Sequence, residues 1–211
     1  MEEKNTIKSY YNVLLESRAI DNRSDILAVI LPGIGYTLDR PLLDYSKKLC
    51  VELGYDVLPI EYGFQAARKD FVEGDFHIVA EETYKLLKLS LKPEYKKIIF
   101  IGKSIGTIVQ IILENKLIEE KYDFDFVNIY LTPVNKTVEL GIKRESLVVS
   151  GTSDVLINEA SIEKIENIND IEFIKIDKGD HSLNINNNII KSSEILTYIL
   201  EKEKDHIISK I

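Results

Sequence analysis

The sequence predicts an α/β protein, a three-layer α/β/α sandwich around a mainly parallel sheet. Three observations carry this expectation. Short apolar runs such as Ile26–Leu31 and Ile98–Ile101 have strand length and no polar face, as strands buried on both sides do. Stretches with helical apolar spacing separate these runs, so successive strands need helical crossovers and lie parallel. In Ile98 to Val109 an apolar run meets Gly102-Lys103-Ser104-Ile105-Gly106, and a helical pattern begins at once. A strand that turns into a helix around one serine is the context of a nucleophile elbow.

The elements follow in order. Tyr10–Ser17 mixes aromatic and aliphatic residues and is expected to be an edge strand or a short helix. Asp21–Asp25 is a turn by composition, and Ile26–Leu31 is a strand closed by Pro32-Gly33. Residues Asp39–Leu53 carry a helical pattern, with Pro41 in the first turn and Gly54 just past the end. Asp56–Ile60 is the next strand, followed by a loop from Phe64 to about Asp75 and a helix over Phe76–Leu91. After the elbow come a helix to about Leu117, a strand at Phe126–Leu131 and a short strand at Leu147–Val149. A helix at Ile157–Ile168, a strand at Ile171–Ile176 and an amphipathic helix from Ile189 to about Lys202 complete the chain. Six or seven core strands result. The 211 residues show no repeat or low-complexity linker, so a single domain over 1–211 is expected.

Composition narrows the function. Lys and Arg number 27 against 35 Asp and Glu, a formal charge of −8 that argues against nucleic acid as a partner. The lysines between Lys85 and Lys97 read as a solvated helix face and the turn after it. Cys50 is the only cysteine, which excludes an internal disulfide and a cysteine metal site; it reads as a small buried hydrophobe. Met1 to Asn5 is acidic, with no apolar leader behind it, and no apolar run approaches the ~20 residues of a membrane helix. A cytoplasmic protein with no membrane partner is expected.

In parallel sheets the reactive groups sit on loops beyond the carboxyl ends of the strands. Those loops hold Gly33-Ile34-Gly35, Ser104, Asp154 and His181. Serine needs a base to take its proton, and histidine is the usual one near neutral pH. His77 falls within a helix and His206 near the chain's end, both structural or merely exposed, whereas His181 follows a strand end. The carboxylate that orients such a base is Asp154, with Asp180 and Asp177 as alternatives. The order Ser104, Asp154, His181 is the hydrolase order rather than either serine protease order. The oxyanion donors expected are the N–H groups of Ile105 and Ile34, with Gly35 as the alternative to Ile34.

These motifs together resemble the α/β-hydrolase superfamily over roughly Ile26–Leu200. Leu31-Pro32-Gly33-Ile34-Gly35 resembles the oxyanion loop, although the family's frequent His-Gly is Pro32-Gly33 here. Glu61-Tyr62-Gly63 resembles the tyrosine-containing turn after the next strand. Gly102–Gly106 resembles the elbow, Gly151–Asp154 the acid loop and Gly179–Leu183 the histidine loop. The resemblance implies a triad of Ser104, Asp154 and His181, with no metal or organic cofactor needed. Only Thr132–Ser146 fills the interval where many members carry a lid, so an open site is expected, with Gly35, Tyr36, Tyr62, Phe64, Ile105, Pro133 and Ile157 as its walls.

Gly102-Lys103-Ser104 also matches the end of a phosphate-binding loop. The full pattern wants glycine at position 97, where Lys97 stands, so nucleotide binding is set aside and Lys103 is expected to project from the turn. The leading expectation is a serine hydrolase, carboxylesterase- or thioesterase-like, acting on a small ester or thioester through an acyl-enzyme. A non-catalytic binding protein on the same fold and an acyltransferase with the same triad are the alternatives. A monomer or homodimer is expected, with the loop from Phe64 to Phe76 shaping the substrate site.

Overall fold

The computed structural model describes residues 6–211. The reading of Met1 to Asn5 as lacking an apolar leader lies outside the described residues.

The alternation expected from the sequence builds a six-stranded sheet. Its strands are β3 (Ile26–Leu31), β4 (Asp56–Pro59), β5 (Lys97–Lys103), β6 (Asp125–Leu131), β7 (Leu147–Gly151) and β8 (Glu172–Ile176). They lie in the order β4-β3-β5-β6-β7-β8, and every pair is parallel. The chain runs from β3 outward to β4, then returns across β3 to place β5 on its other side. The order therefore reverses between β3 and β5, which leaves a crevice at their carboxyl ends.

Period-two alternation explains why β3 reads as an unbroken apolar run. Leu27, Val29 and Leu31 pack on one side with Val109, Leu113 and Leu117 of α4 (Ile105–Glu119) and Val79, Leu86 and Leu87 of α3 (Phe76–Ser90). Ile26, Ala28 and Ile30 pack on the other side with Leu42, Leu43 and Cys50 of α1 (Pro41–Glu52) and Ile195, Ile199 and Ile207 of α7 (Ile189–Ser209). Cys50 is fully buried, as expected of a small hydrophobe. The short helices α2 (Gly63–Ala66), α5 (Asn135–Leu140) and α6 (Glu159–Glu166) occupy connections at the strand ends. Among the described residues no helix is long and apolar enough to cross a membrane.

Three expectations change. The strand in Tyr10–Ser17 is β2 (Leu14–Glu16), but it pairs antiparallel with β1 (Thr6–Lys8) in a separate hairpin rather than at the sheet edge. Buried polar contacts hold that hairpin to α3: Ser9 Oγ donates to Glu82 Oε2 at 3.1 Å, and the Tyr10 N–H donates to Glu82 Oε1 at 2.6 Å. The loop expected from Phe64 holds α2 and, later, a 3-10 turn at Glu73–Asp75. The last helix runs to Ser209, which puts His206 inside the core rather than at a loose end. Its buried face continues through Glu203, His206 and Ile207, and two of those residues are polar, so the apolar pattern fades before the helix does.

Candidate active site

Ser104 joins β5 to α4 with φ +54° and ψ −119°. That conformation costs a non-glycine residue about 1–3 kcal/mol and is kept only where the surroundings enforce it. The glycines on either side allow the turn. A Cβ on Gly106 would come 2.3 Å from the Leu31 carbonyl oxygen, and one on Gly102 would come 2.6 Å from that of Gly106. The Ser104 N–H is held by the Leu131 carbonyl at 3.0 Å, which fixes the turn against β6.

Two further loops meet it. Asp154 follows β7 and His181 follows β8, both at the carboxyl edge of the sheet. His181 Nδ1 lies 2.7 Å from Asp154 Oδ2, and His181 Nε2 lies 2.9 Å from Ser104 Oγ. An ionised carboxylate only accepts, so Nδ1 carries the proton and the lone pair of Nε2 faces the serine hydroxyl. Asp154 is held in turn by the Leu156 N–H, which donates to Oδ1 at 2.9 Å. Its side chain is fully buried while that of His181 is 23% exposed, so the carboxylate is dry and the imidazole reaches the surface. Asp180, the sequence neighbour of His181, instead accepts from the N–H groups of Ser182 and Asn184 and braces the loop.

The loop after β3 stands against the serine. A Cβ on Gly33 would lie 3.1 Å from Ser104 Cβ, so the backbone leading into Ile34 passes beside that serine. Ile105 opens α4, and its N–H is one of the first four in the helix without an intrahelical carbonyl. Gln65 holds the facing loop: its Nε2 donates to the carbonyls of Gly33 at 2.8 Å and Ile34 at 3.2 Å. The Tyr62 hydroxyl donates to the Pro32 carbonyl at 3.0 Å. No sequence motif singled out Gln65, because its role depends on α2 placing it across from a loop some thirty residues earlier.

The expected walls separate into different places. Ile105 lines a groove of about 770 Å³ together with Ile34, Phe71, Phe76, Ile108 and Leu140. Phe71 and Phe76 come from the segment expected to shape the site. Gly35 and Tyr36 line a second cleft of about 360 Å³, on the His181 side. Ile157 lines a third, behind Asp154. Tyr62 and Phe64 are corrected: both are buried and stack on each other at 5.7 Å, so they brace the loop after β3 and α2 rather than lining an open wall. Pro133 is also buried, and its neighbour Val134 reaches the groove instead.

Lys103 is the largest correction. It does not project from the turn but is fully buried. Its Nζ donates to the backbone carbonyl of His181 at 2.6 Å and to the Thr132 hydroxyl, and it sits 4.8 Å from the Tyr36 ring centre. Burial pushes the ammonium down to about 7, although the nearby Asp154 and Asp180 carboxylates favour its charge. A lysine inside an elbow looks solvated in sequence because the loop that supplies its partners lies about eighty residues away.

The sequence matches no protein-family model and no curated protein. Solved structures do resemble it. A dienelactone hydrolase from Anabaena variabilis superposes with a TM-score of 0.72 at 14% identity, over 100% of this chain and 98% of that one. An alpha-beta serine hydrolase homologue from Coxiella burnetii gives 0.67 at 15% identity, over 97% of each chain. A serine hydrolase without a lid from Xanthomonas campestris gives 0.66 at 15%, over 97% of this chain and 92% of that one. The fold is that of the small, lidless α/β-hydrolases.

Proposed function

We propose that this chain of α/β-hydrolase fold is a serine hydrolase that cleaves a carboxylic ester or thioester through an acyl-enzyme on Ser104. The observation that carries the reading is the continuous chain of hydrogen bonds from Asp154 through His181 to Ser104, at 2.7 and 2.9 Å. Those distances are already within proton-transfer reach.

The chemistry follows from the groups present. His181 Nε2 takes the Ser104 proton as Oγ attacks the substrate carbonyl, and Asp154 stabilises the imidazolium that forms. The carbonyl π bond breaks toward oxygen, and the resulting oxyanion is received by the N–H groups of Ile105 and Ile34. Nε2 then returns its proton to the leaving oxygen or sulfur as that bond breaks, leaving the acyl group on Ser104. Water reaches the ester through the uncapped site and attacks the acyl carbon as His181 takes its proton; the bond to Ser104 Oγ then breaks, Oγ receives that proton back from His181, and the acid leaves. Turnover of p-nitrophenyl esters tests the reading. Ser104→Ala and His181→Ala are expected to lose 10³-fold or more in kcat, whereas undiminished turnover in folded Ser104→Ala would overturn it.

A further inference from the structure

The groove of about 770 Å³ starts from Ile105, the residue after Ser104, and is lined mainly by apolar side chains. Its floor comes from α4, whose first half, Ile105-Gly106-Thr107-Ile108-Val109-Gln110-Ile111-Ile112-Leu113, is apolar nearly all round. A helix of that kind needs cover on every face. Val109 and Leu113 pack into the core beneath the sheet, whereas Ile105, Ile108 and Ile112, spaced by three and four, form the groove floor. Phe71 and Phe76 make one wall, and Val134 and Leu140 of the segment around α5 make the other.

Two observations fix what lies in it. The groove is lined at one end by Ile34 and Ile105, the proposed oxyanion donors, so on the hydrolase reading a chain lying in it is attached to the carbonyl they receive. The leaving group must receive its proton from His181, and on that side Tyr36, Arg40, Ser182 and Asn184 line the separate, more polar cleft. The apolar groove therefore serves the acid half of the substrate. Charge at its rim disfavours an anionic chain end: Glu73 repels a carboxylate, and Lys136 Nζ is held by Glu139 at 3.1 Å.

Resting on the hydrolase reading, we infer that the substrate carries an uncharged, medium-length aliphatic acyl chain in this groove. From Ile105 to Ile112 the helix advances seven residues, about 10 Å, which spans an extended chain of about eight carbons. The groove wall is built to stay in place, since the Phe71 ring packs on Phe64 at 5.3 Å and Tyr11 OH donates to Asp75 at 3.1 Å.

The test is kcat/KM across p-nitrophenyl esters from acetyl to hexadecanoyl, with alkyl acetates of matching length as the reversed arm. The value is expected to rise about twofold per half-covered methylene, some 50-fold from acetyl to octanoyl, then level off. Ile112→Trp at the groove's far end should lower the octanoyl-to-acetyl ratio at least tenfold. Leu140→Trp, which alters an exposed wall residue and spares the core, should do the same, while Ile118→Trp, on another face of α4, should leave the ratio unchanged. A flat acyl profile, or a length preference that follows the alcohol, overturns the inference while hydrolysis stands. Absence of all turnover together with absence of Ser104 labelling by a fluorophosphonate overturns the hydrolase reading itself, and this inference with it.

Discussion

Replacing Lys103 by methionine removes a buried charge while keeping a side chain of similar length, and its two consequences have opposite signs. Burial lowers the ammonium from 10.5 to about 7. Between these values the unfolded chain binds a proton that the folded one does not, so this lysine makes stability rise with pH over that window. Below pH 7 its full penalty is present. The shift of about 3.5 units corresponds to a penalty of at most about 5 kcal/mol, dwindling to under about 1 kcal/mol near pH 10. Against it stand the hydrogen bonds to the His181 carbonyl and the Thr132 hydroxyl, whose loss costs about 1–3 kcal/mol each. Two such bonds are together worth about 2–6 kcal/mol, comparable to the penalty at pH 6–7 and well above what remains of it at pH 10, so Lys103→Met should melt close to wild type at pH 6–7 and lower at pH 10. Activity should fall as well. Without its anchor the His181 loop loosens, and kcat should fall about tenfold or more with KM changed less than twofold. Thermal melts at three pH values and steady-state kinetics check both. A melting difference that stays constant from pH 6 to 10, with unchanged kcat, would refute the reasoning, because the lysine would then be only structural.

Other variants probe separate parts of the account. Gln65→Ala frees the carbonyls of Gly33 and Ile34 and should lower kcat about 10- to 100-fold through the oxyanion loop, with the melting temperature within a few degrees of wild type. Asp154→Asn keeps the shape but lets the imidazole take the wrong tautomer, and a loss of about 10⁴ in kcat is expected from stopped-time ester assays. Glu203, fully buried against Ser46 of α1, is pushed up to about 8, so the folded chain keeps a proton that the unfolded chain loses above 4.5. Stability should then fall with rising pH between those values, by up to about 4 kcal/mol at pH 8. Glu203→Gln should therefore gain stability over wild type as the pH rises from 6.5 to 8, read as the difference between the two proteins in denaturant melts. In that difference the opposing rise from Lys103, and from His206, which burial holds below its ordinary 6.5, is common to both proteins and cancels.

Local patterns were legible in the sequence where one short stretch decides the structure. The strand-serine-helix junction at Ser104, the doubly buried run of β3 and the positions of Asp154 and His181 after successive strands all follow from nearest neighbours and element order. What stayed hidden depends on partners far along the chain. Lys103 looked solvated because the His181 carbonyl that accepts its hydrogen bond belongs to another loop. Tyr62 and Phe64 looked like substrate walls because an aromatic pair beside a site reads the same whether it faces inward or outward. The groove lay partly in view as the three-and-four spacing of Ile105, Ile108 and Ile112, but its walls come from segments on either side of α4. His206 fell outside the expected helix because Glu203 interrupts the apolar face that would have extended it.

The most direct measurement is intact-protein mass spectrometry after reaction with a fluorophosphonate, followed by peptide mapping. The account predicts one phosphonyl group per chain, carried by Ser104, formed quickly in wild type and at least 100-fold more slowly in His181→Ala. An unmodified chain, or an adduct on another residue that forms equally fast in His181→Ala, would contradict it.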